Sequence, residues 1–250
     1  NNPGHKISDE YHNVSTTDLE GVLALAKDLN IDGISAYGSD PSALTASYVA
    51  EKLGLVSNPH TAVSILSNKI TFRKLQHELH LPAPKIIPLY SPEDFYTIKE
   101  QLGNDEWIIK PVDSSGSKGI FRIDSKVEET QIKKYVDEAF SFSRVKEVVF
   151  ETFIKRVGRL ITGDYMVDKG EIIFYCFGDV HFNTEISGLV PRAITMPAEN
   201  CENTAYYEAL IAQIKTMNKH LGIHTGVFNC DVISDENNTP YIIDLSLIHI

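Results

Sequence analysis

Two apolar runs in the second half of the chain, LITGDYMV and EIIFYCFGD, are joined at Asp168-Lys169-Gly170. So short a turn returns the chain antiparallel, because a parallel neighbour needs a crossover of a dozen or more residues. A second such pair, GVFNCDVIS and PYIIDL, flanks the polar turn DENNT. This half therefore reads as antiparallel sheet. The stretch leading to it, from about Lys85, is mixed: strand KIIPLY, helix SPEDFYTIKEQLG, strand EWIIKPV, a Ser/Gly-rich turn, strand GIFRID, helix KVEETQIKKYVDEAF and strand VVFETFI. A long loop holding Pro191 and Pro197 precedes helix TAYYEALIAQIKTMNKHLG, which Gly222 ends.

The first part has another texture. A helix over TTDLEGVLALAKDLN, capped by Thr17 or Asp18, leads to a short strand at DGISAYG and a second helix, SALTASYVAEKLGL. Strand and helix in alternation imply a parallel sheet with crossovers. Pro59 marks a joint near residue 60, and helix SILSNKITFRKLQHELH comes next until two prolines stop it. The expectation is an α/β unit over residues 1–65 followed by an α+β unit over 66–244.

Both chain ends suggest a fragment of a longer product. The chain opens without Met inside a loop-like stretch, and it stops just after a strand-like run. LSLIHI, residues 245–250, is what CTG-TCT-CTT-ATA-CAC-ATC encodes, a string similar to a sequencing-library adapter. We read Asp244 as the last native residue and 245–250 as an adapter-derived tail. The competing reading is a genuine strand end, since Leu and Ile alternate there with Ser and His.

Lys plus Arg number 23 against 34 Asp plus Glu, a net charge of −11. That balance argues against a surface for nucleic acid or an anionic membrane, while leaving room for a small phosphorylated ligand in a local basic pocket. No run approaches the roughly 20 apolar residues that span a bilayer, and no signal peptide is visible. Cys176, Cys201 and Cys230 form no CxxC pair, which points to a reduced, cytoplasmic setting. His181, His220 and His224 lack zinc-site spacing, and Cys176 and Cys230 read as strand core.

Three features carry chemistry. In EWIIKPVDSSGSKGI, Lys110 ends an apolar strand beside a Ser/Gly loop whose backbone N–H groups can cradle phosphate. The loop is far from GxxxxGK[ST] and opens no helix, so a phosphate-loop NTPase is excluded; an ordinary hairpin is the alternative. Asp231 and Asp244 each interrupt an apolar run. If their strands pair across DENNT, two hard oxygen ligands share one face and suit Mg²⁺; the alternative is a pair of solvent-facing edge acids. Glu151, in VVFETFI, closes an apolar run where a strand end can present an acid and backbone amides to a flat heterocycle.

In this order, the three features resemble the ATP-grasp superfamily, with spacing similar to its D-alanine–D-alanine-ligase-like and carbamoyl-phosphate-synthase-like members. SILSNKITFRKLQHELHLPAPK is similar to the segment that leads into the ATP-grasp domain, and residues 1–65 to the later part of a preceding Rossmann-like domain. The resemblance implies two α+β subdomains clasping ATP. Lys69 and Lys110 would contact the phosphates, and Ser115, Gly116, Ser117 and Gly119 would form a lid over them. Glu151 with the Phe153–Ile154 backbone would bind adenine, and Asp231 and Asp244 would hold Mg²⁺ or Mn²⁺. The family usually places Asn two residues after the second acid and then Arg; here Ser246, Leu247 and Ile248 follow.

The implied activity is an ATP-dependent carboxylate ligase that activates a small carboxylate as an acylphosphate for capture by an amine or another nucleophile. Arg192 is the candidate for meeting the substrate carboxylate, with Arg159 and Arg122 as further choices. The alternatives are an MgATP-binding module without catalysis and an ATP-grasp small-molecule kinase. A dinucleotide oxidoreductase is disfavoured, because no GxGxxG follows a strand. Nothing in the sequence sets the oligomeric state, and a homodimer is one arrangement it allows.

Overall fold

The computed structural model describes residues 3–114, 118–183, 191–199 and 202–249. Four α-helices come first: α1 (Leu19–Asp28), α2 (Asp40–Leu53), α3 (His60–Ser67) and α4 (Lys69–Glu78). Asp18 caps α1, its carboxylate accepting from the Gly21 N–H at 3.0 Å. The helix expected at SILSNKITFRKLQHELH starts earlier and is two helices. Asn68 takes extended backbone, and its side chain accepts from the Ile70 and Thr71 N–H groups, so α4 starts afresh with Lys69 in its first turn.

The strand expected at residues 32–38 is not formed. Only Tyr37 makes an isolated bridge, and every strand ladder among the described residues is antiparallel and formed by other segments. A single extended segment has no ladder to satisfy its backbone, whatever its pattern.

From Lys85 onward the chain is α+β. Strands β1 (Ile86–Leu89), β2 (Trp107–Pro111), β3 (Phe121–Ile123) and β4 (Val148–Thr152) form an antiparallel sheet in the order β1-β4-β2-β3. The helix expected at residues 91–103 is three short pieces, 3₁₀ turns on either side of α5 (Phe95–Ile98), and α6 (Glu129–Phe142) covers the sheet. Leu89, Phe95, Trp107, Ile109, Val136, Phe140 and Phe150 fill that core.

The second sheet runs β7-β6-β5-β8-β9, again antiparallel, from β5 (Val157–Asp168), β6 (Glu171–Phe182), β7 (Pro191–Thr195), β8 (Thr225–Ser234) and β9 (Pro240–His249). The hairpin turn is as tight as expected: Asp168 pairs with Glu171, and Lys169 and Gly170 take φ of 51° and 83°. Strand β7 lies in what reads from sequence as a long loop. It is an exposed edge strand paired antiparallel with β6. Helix α7 (Thr204–Leu221) packs on this sheet together with α2, α3 and α4, burying Phe72, Tyr165, Leu210, Phe228, Cys230 and Ile242 in one core. Leu245 and Leu247 of β9 are buried in the same core. Among the described residues, no helix is long and apolar enough to cross a membrane.

Candidate nucleotide and metal site

Strand β8 alternates. Phe228, Cys230 and Val232 point into the core, so Asn229 and Asp231 point to the opposite face. On β9 the register shifts beside the acids: Val232 pairs with Ile242, whereas Asp231 pairs with Asp244, leaving Ile243 as the extra residue of a bulge. Without it, Asp231 would oppose Ile243. The bulge sets two carboxylates directly opposite each other on one face.

Asp231 also lies opposite Thr162 of β5, whose hydroxyl bonds it. Burial pushes the Asp231 carboxyl up to about 6; Asp244 adds to the rise, and the Thr162 bond and the charges of Lys110 and Lys69 oppose it. A half-buried acid facing a second acid is an electrostatic demand for a cation. Two carboxylates suit Mg²⁺, which takes one or two from the protein and completes its shell with water and phosphate oxygens. Among the described residues, no group of three or more His, Cys, Asp or Glu side chains stands ready to hold a metal.

Lys69 reaches this face from the start of α4. Its Nζ lies 3.5 Å from Asp244 Oδ1 and 3.5 Å from the Ser114 carbonyl oxygen, while its own N–H donates to Val112 O at 3.2 Å. Lys110 comes from β2 of the other sheet. Trp107 and Ile109 point into the first core, so Lys110 points to the side where α4 and the second sheet lie. Its Nζ donates to Glu151 Oε2 at 2.8 Å, and Arg73 Nε donates to Glu151 Oε1 at 3.0 Å.

Both oxygens of Glu151 are thus engaged, and the side chain is 2% exposed. Burial alone would push this carboxyl up; the charges and hydrogen bonds of Arg73 and Lys110 outweigh it and hold it at about 2. Expected at the adenine edge, Glu151 alternates with core residue Phe150 on β4, so its carboxylate lies on the opposite face of the sheet with Lys110 and Arg73. The Phe153 N–H donates to Glu106 O at 2.7 Å, and Arg122 lies over the Phe153 ring at 4.1 Å.

Gly119 follows the Ser/Gly loop with φ of 71°, and a Cβ there would stand 2.9 Å from Pro111 and from Phe142. It is the packed end of that loop; Ser115, Gly116 and Ser117 lie outside the described residues. Arg192 is the extra residue of a bulge on edge strand β7, exposed and without an ion pair among the described residues. Arg159 is committed to His181 and Glu199, and Arg122 to Glu106. Cys176 is half-buried, its Sγ 3.6 Å from Met196 Sδ, whereas Cys230 is core as expected.

Sequence reasoning passed over Arg73, which is fully buried and holds the site from behind. Its trace in the sequence is an arginine on the same helical face as Ile70, Phe72 and Gln76, all buried. An arginine on a core-facing stripe needs partners.

No protein-family model matches the sequence, and no curated protein does. Solved structures match by shape. L-amino acid ligase from Bacillus licheniformis superposes with a TM-score of 0.71 at 20% identity, over 92% of this chain and 52% of that one. N5-carboxyaminoimidazole synthetase from Staphylococcus aureus, solved with ADP, gives 0.75 at 16%, over 98% and 60%. D-alanine-D-alanine ligase from Helicobacter pylori gives 0.60 at 19%, over 84% and 60%. This chain spans between half and two thirds of the length of these three enzymes. It shares their ATP-grasp fold.

Proposed function

We propose that this chain, with its ATP-grasp fold, is the nucleotide-binding part of an ATP-dependent carboxylate ligase. The observation that carries this reading is the convergence of Lys69, Lys110, Asp231 and Asp244, drawn from two sheets and a helix, on one face. Two lysines and two acids at that spacing suit a polyphosphate with a divalent cation between its oxygens and the protein. We assign residues 66–244 to this domain.

Lys69 and Lys110 meet the phosphates. Lys110 is held by Glu151, so its ammonium is oriented before a nucleotide arrives. Adenine is received at the main chain of Phe153 and Ile154 rather than by the Glu151 carboxylate. Asp231 and Asp244 would hold Mg²⁺, which when bound screens the phosphate charge and orients the γ-phosphate. The substrate carboxylate attacks that phosphorus, ADP leaves, and the acylphosphate is captured by a nucleophile that displaces phosphate. Little covalent chemistry falls to the chain; its residues align the reactants and stabilise charge. Arg192, re-aimed by its bulge, is the candidate partner for the substrate carboxylate.

Incubation with MgATP, a panel of small carboxylates and hydroxylamine tests this. ADP release with formation of a hydroxamate from one carboxylate supports the ligase, and ADP release without hydroxamate points to a kinase. One observation favours the second reading, an MgATP-binding module without turnover. Ser246, two residues beyond Asp244, donates its hydroxyl to Asp40 at 2.5 Å rather than to the acids.

A further inference from the structure

Arg73 is 0% exposed and its guanidinium bonds two strands, β4 and β9, besides its own helix. Its Nε donates to Glu151 Oε1 on β4 at 3.0 Å. Its Nη1 donates to Ile242 O at 3.1 Å and Gln76 Oε1 at 2.8 Å, and its Nη2 donates to Ile243 O at 2.5 Å. Gln76 Nε2 adds a bond to Ile242 O at 3.1 Å.

The two carbonyls come from consecutive residues. In a regular strand, successive carbonyls point to opposite edges; here the bulge at Ile243 lets one guanidinium take both. This is the bulge that sets Asp244 opposite Asp231. The other end of the same guanidinium holds Glu151, and Glu151 holds Lys110. A fork of five fixed donors can serve a carboxylate and two carbonyls at once; an ammonium cannot hold that geometry.

We infer that Arg73 is a positioning residue that couples the two halves of the site, fixing the Asp231–Asp244 pair through the β9 bulge and Lys110 through Glu151, so that divalent cation and nucleotide bind cooperatively. The inference rests on the nucleotide reading. It assigns Arg73 no contact with substrate. Two ligands bound on either side of one rigid connector favour each other when the connector has a single arrangement.

The test is ADP titration of the full chain by calorimetry, with and without Mn²⁺. The quantity read is the ratio of the two affinities. Wild type is expected to bind ADP more tightly with Mn²⁺, and Arg73→Lys to lose about fivefold or more of that gain. Gln76→Leu, which keeps the arginine but removes its brace, is expected to lose part of it. A merely structural role would weaken ADP binding in both conditions alike and leave the ratio unchanged. An unchanged ratio in folded Arg73→Lys overturns the coupling; should that variant not fold, an unchanged ratio in Gln76→Leu does so. Wild type that binds no ADP in either condition overturns the nucleotide reading, and the coupling falls with it.

Discussion

Asp231 and Asp244 oppose each other across β8 and β9 only because Ile243 bulges out of register. Like charges directly opposite on neighbouring strands destabilise a sheet by about 0.2–1 kcal/mol, and here burial adds to the penalty. Asp231→Asn is therefore expected to raise the melting temperature of the metal-free protein while removing Mn²⁺-dependent ADP binding. Thermal unfolding in EDTA beside ADP titration in Mn²⁺ checks both halves. A variant that melts lower and binds as wild type contradicts the site.

Glu151 gives a pH dependence of definite sign. Its folded-state pKa is lowered from 4.5 to about 2, so the ion pairs contribute in full above pH 4.5, and that contribution is lost as pH falls toward 2. The shift corresponds to about 3 kcal/mol. Glu151→Gln is expected to be clearly less stable than wild type at pH 7, with the gap narrowing below pH 4. Unfolding of both proteins by denaturant across that range is the check; a gap that stays constant down to pH 2.5 counts against the pairing.

Gly119 combines φ of 71° with a Cβ position 2.9 Å from Pro111 and Phe142 and 3.3 Å from the Ala139 backbone. Gly119→Ala strains the backbone and presses on α6 at the same time. A loss of about 1–3 kcal/mol is expected. Gly103, also at positive φ but with nothing within 4 Å, serves as the control, and its alanine variant is expected to lose less. Equal losses would show that packing at Gly119 adds nothing.

Asn68 sets where α4 begins and hence where Lys69 sits. Asn68→Ala removes the bonds to the Ile70 and Thr71 N–H groups, at 2.9 and 3.2 Å. A cost of about 1 kcal/mol is expected, with weaker ADP binding from a less fixed Lys69. Unchanged ADP affinity would separate the cap from the site.

Much of the candidate site is legible in the sequence, because a charge inside an apolar strand is conspicuous. Lys110, Asp231 and Asp244 all stand out that way. Hairpins are legible where the turn is short, as at Lys169-Gly170. The register is not: a bulge depends on which neighbours both strands pack against, and 13 positions of separation do not reveal whether Asp231 meets Asp244 or Ile243. Arg73 is hidden for a related reason. On a helix, an arginine among apolar residues reads as a solvated stem until its partners, 78 and 169 positions away in the chain, are in place. Strand β7 and the unformed strand at residues 32–38 are opposite errors with one cause. Strand formation is decided by an available ladder, which PRAIT has on β6, whereas DGISAYG makes only the isolated bridge at Tyr37.

Whether Lys110 and its neighbours form a polyphosphate site is tested most directly by calorimetric titration of the full chain with ADP and Mg²⁺, wild type beside Lys110→Ala. Removing Lys110 leaves Glu151 paired with Arg73, at a cost of about 1–3 kcal/mol, so the variant should stay folded by circular dichroism. The expected result is one ADP site per chain in wild type and a loss of binding by at least about tenfold in the folded variant. Equal binding by the two proteins, or none by wild type, would contradict it.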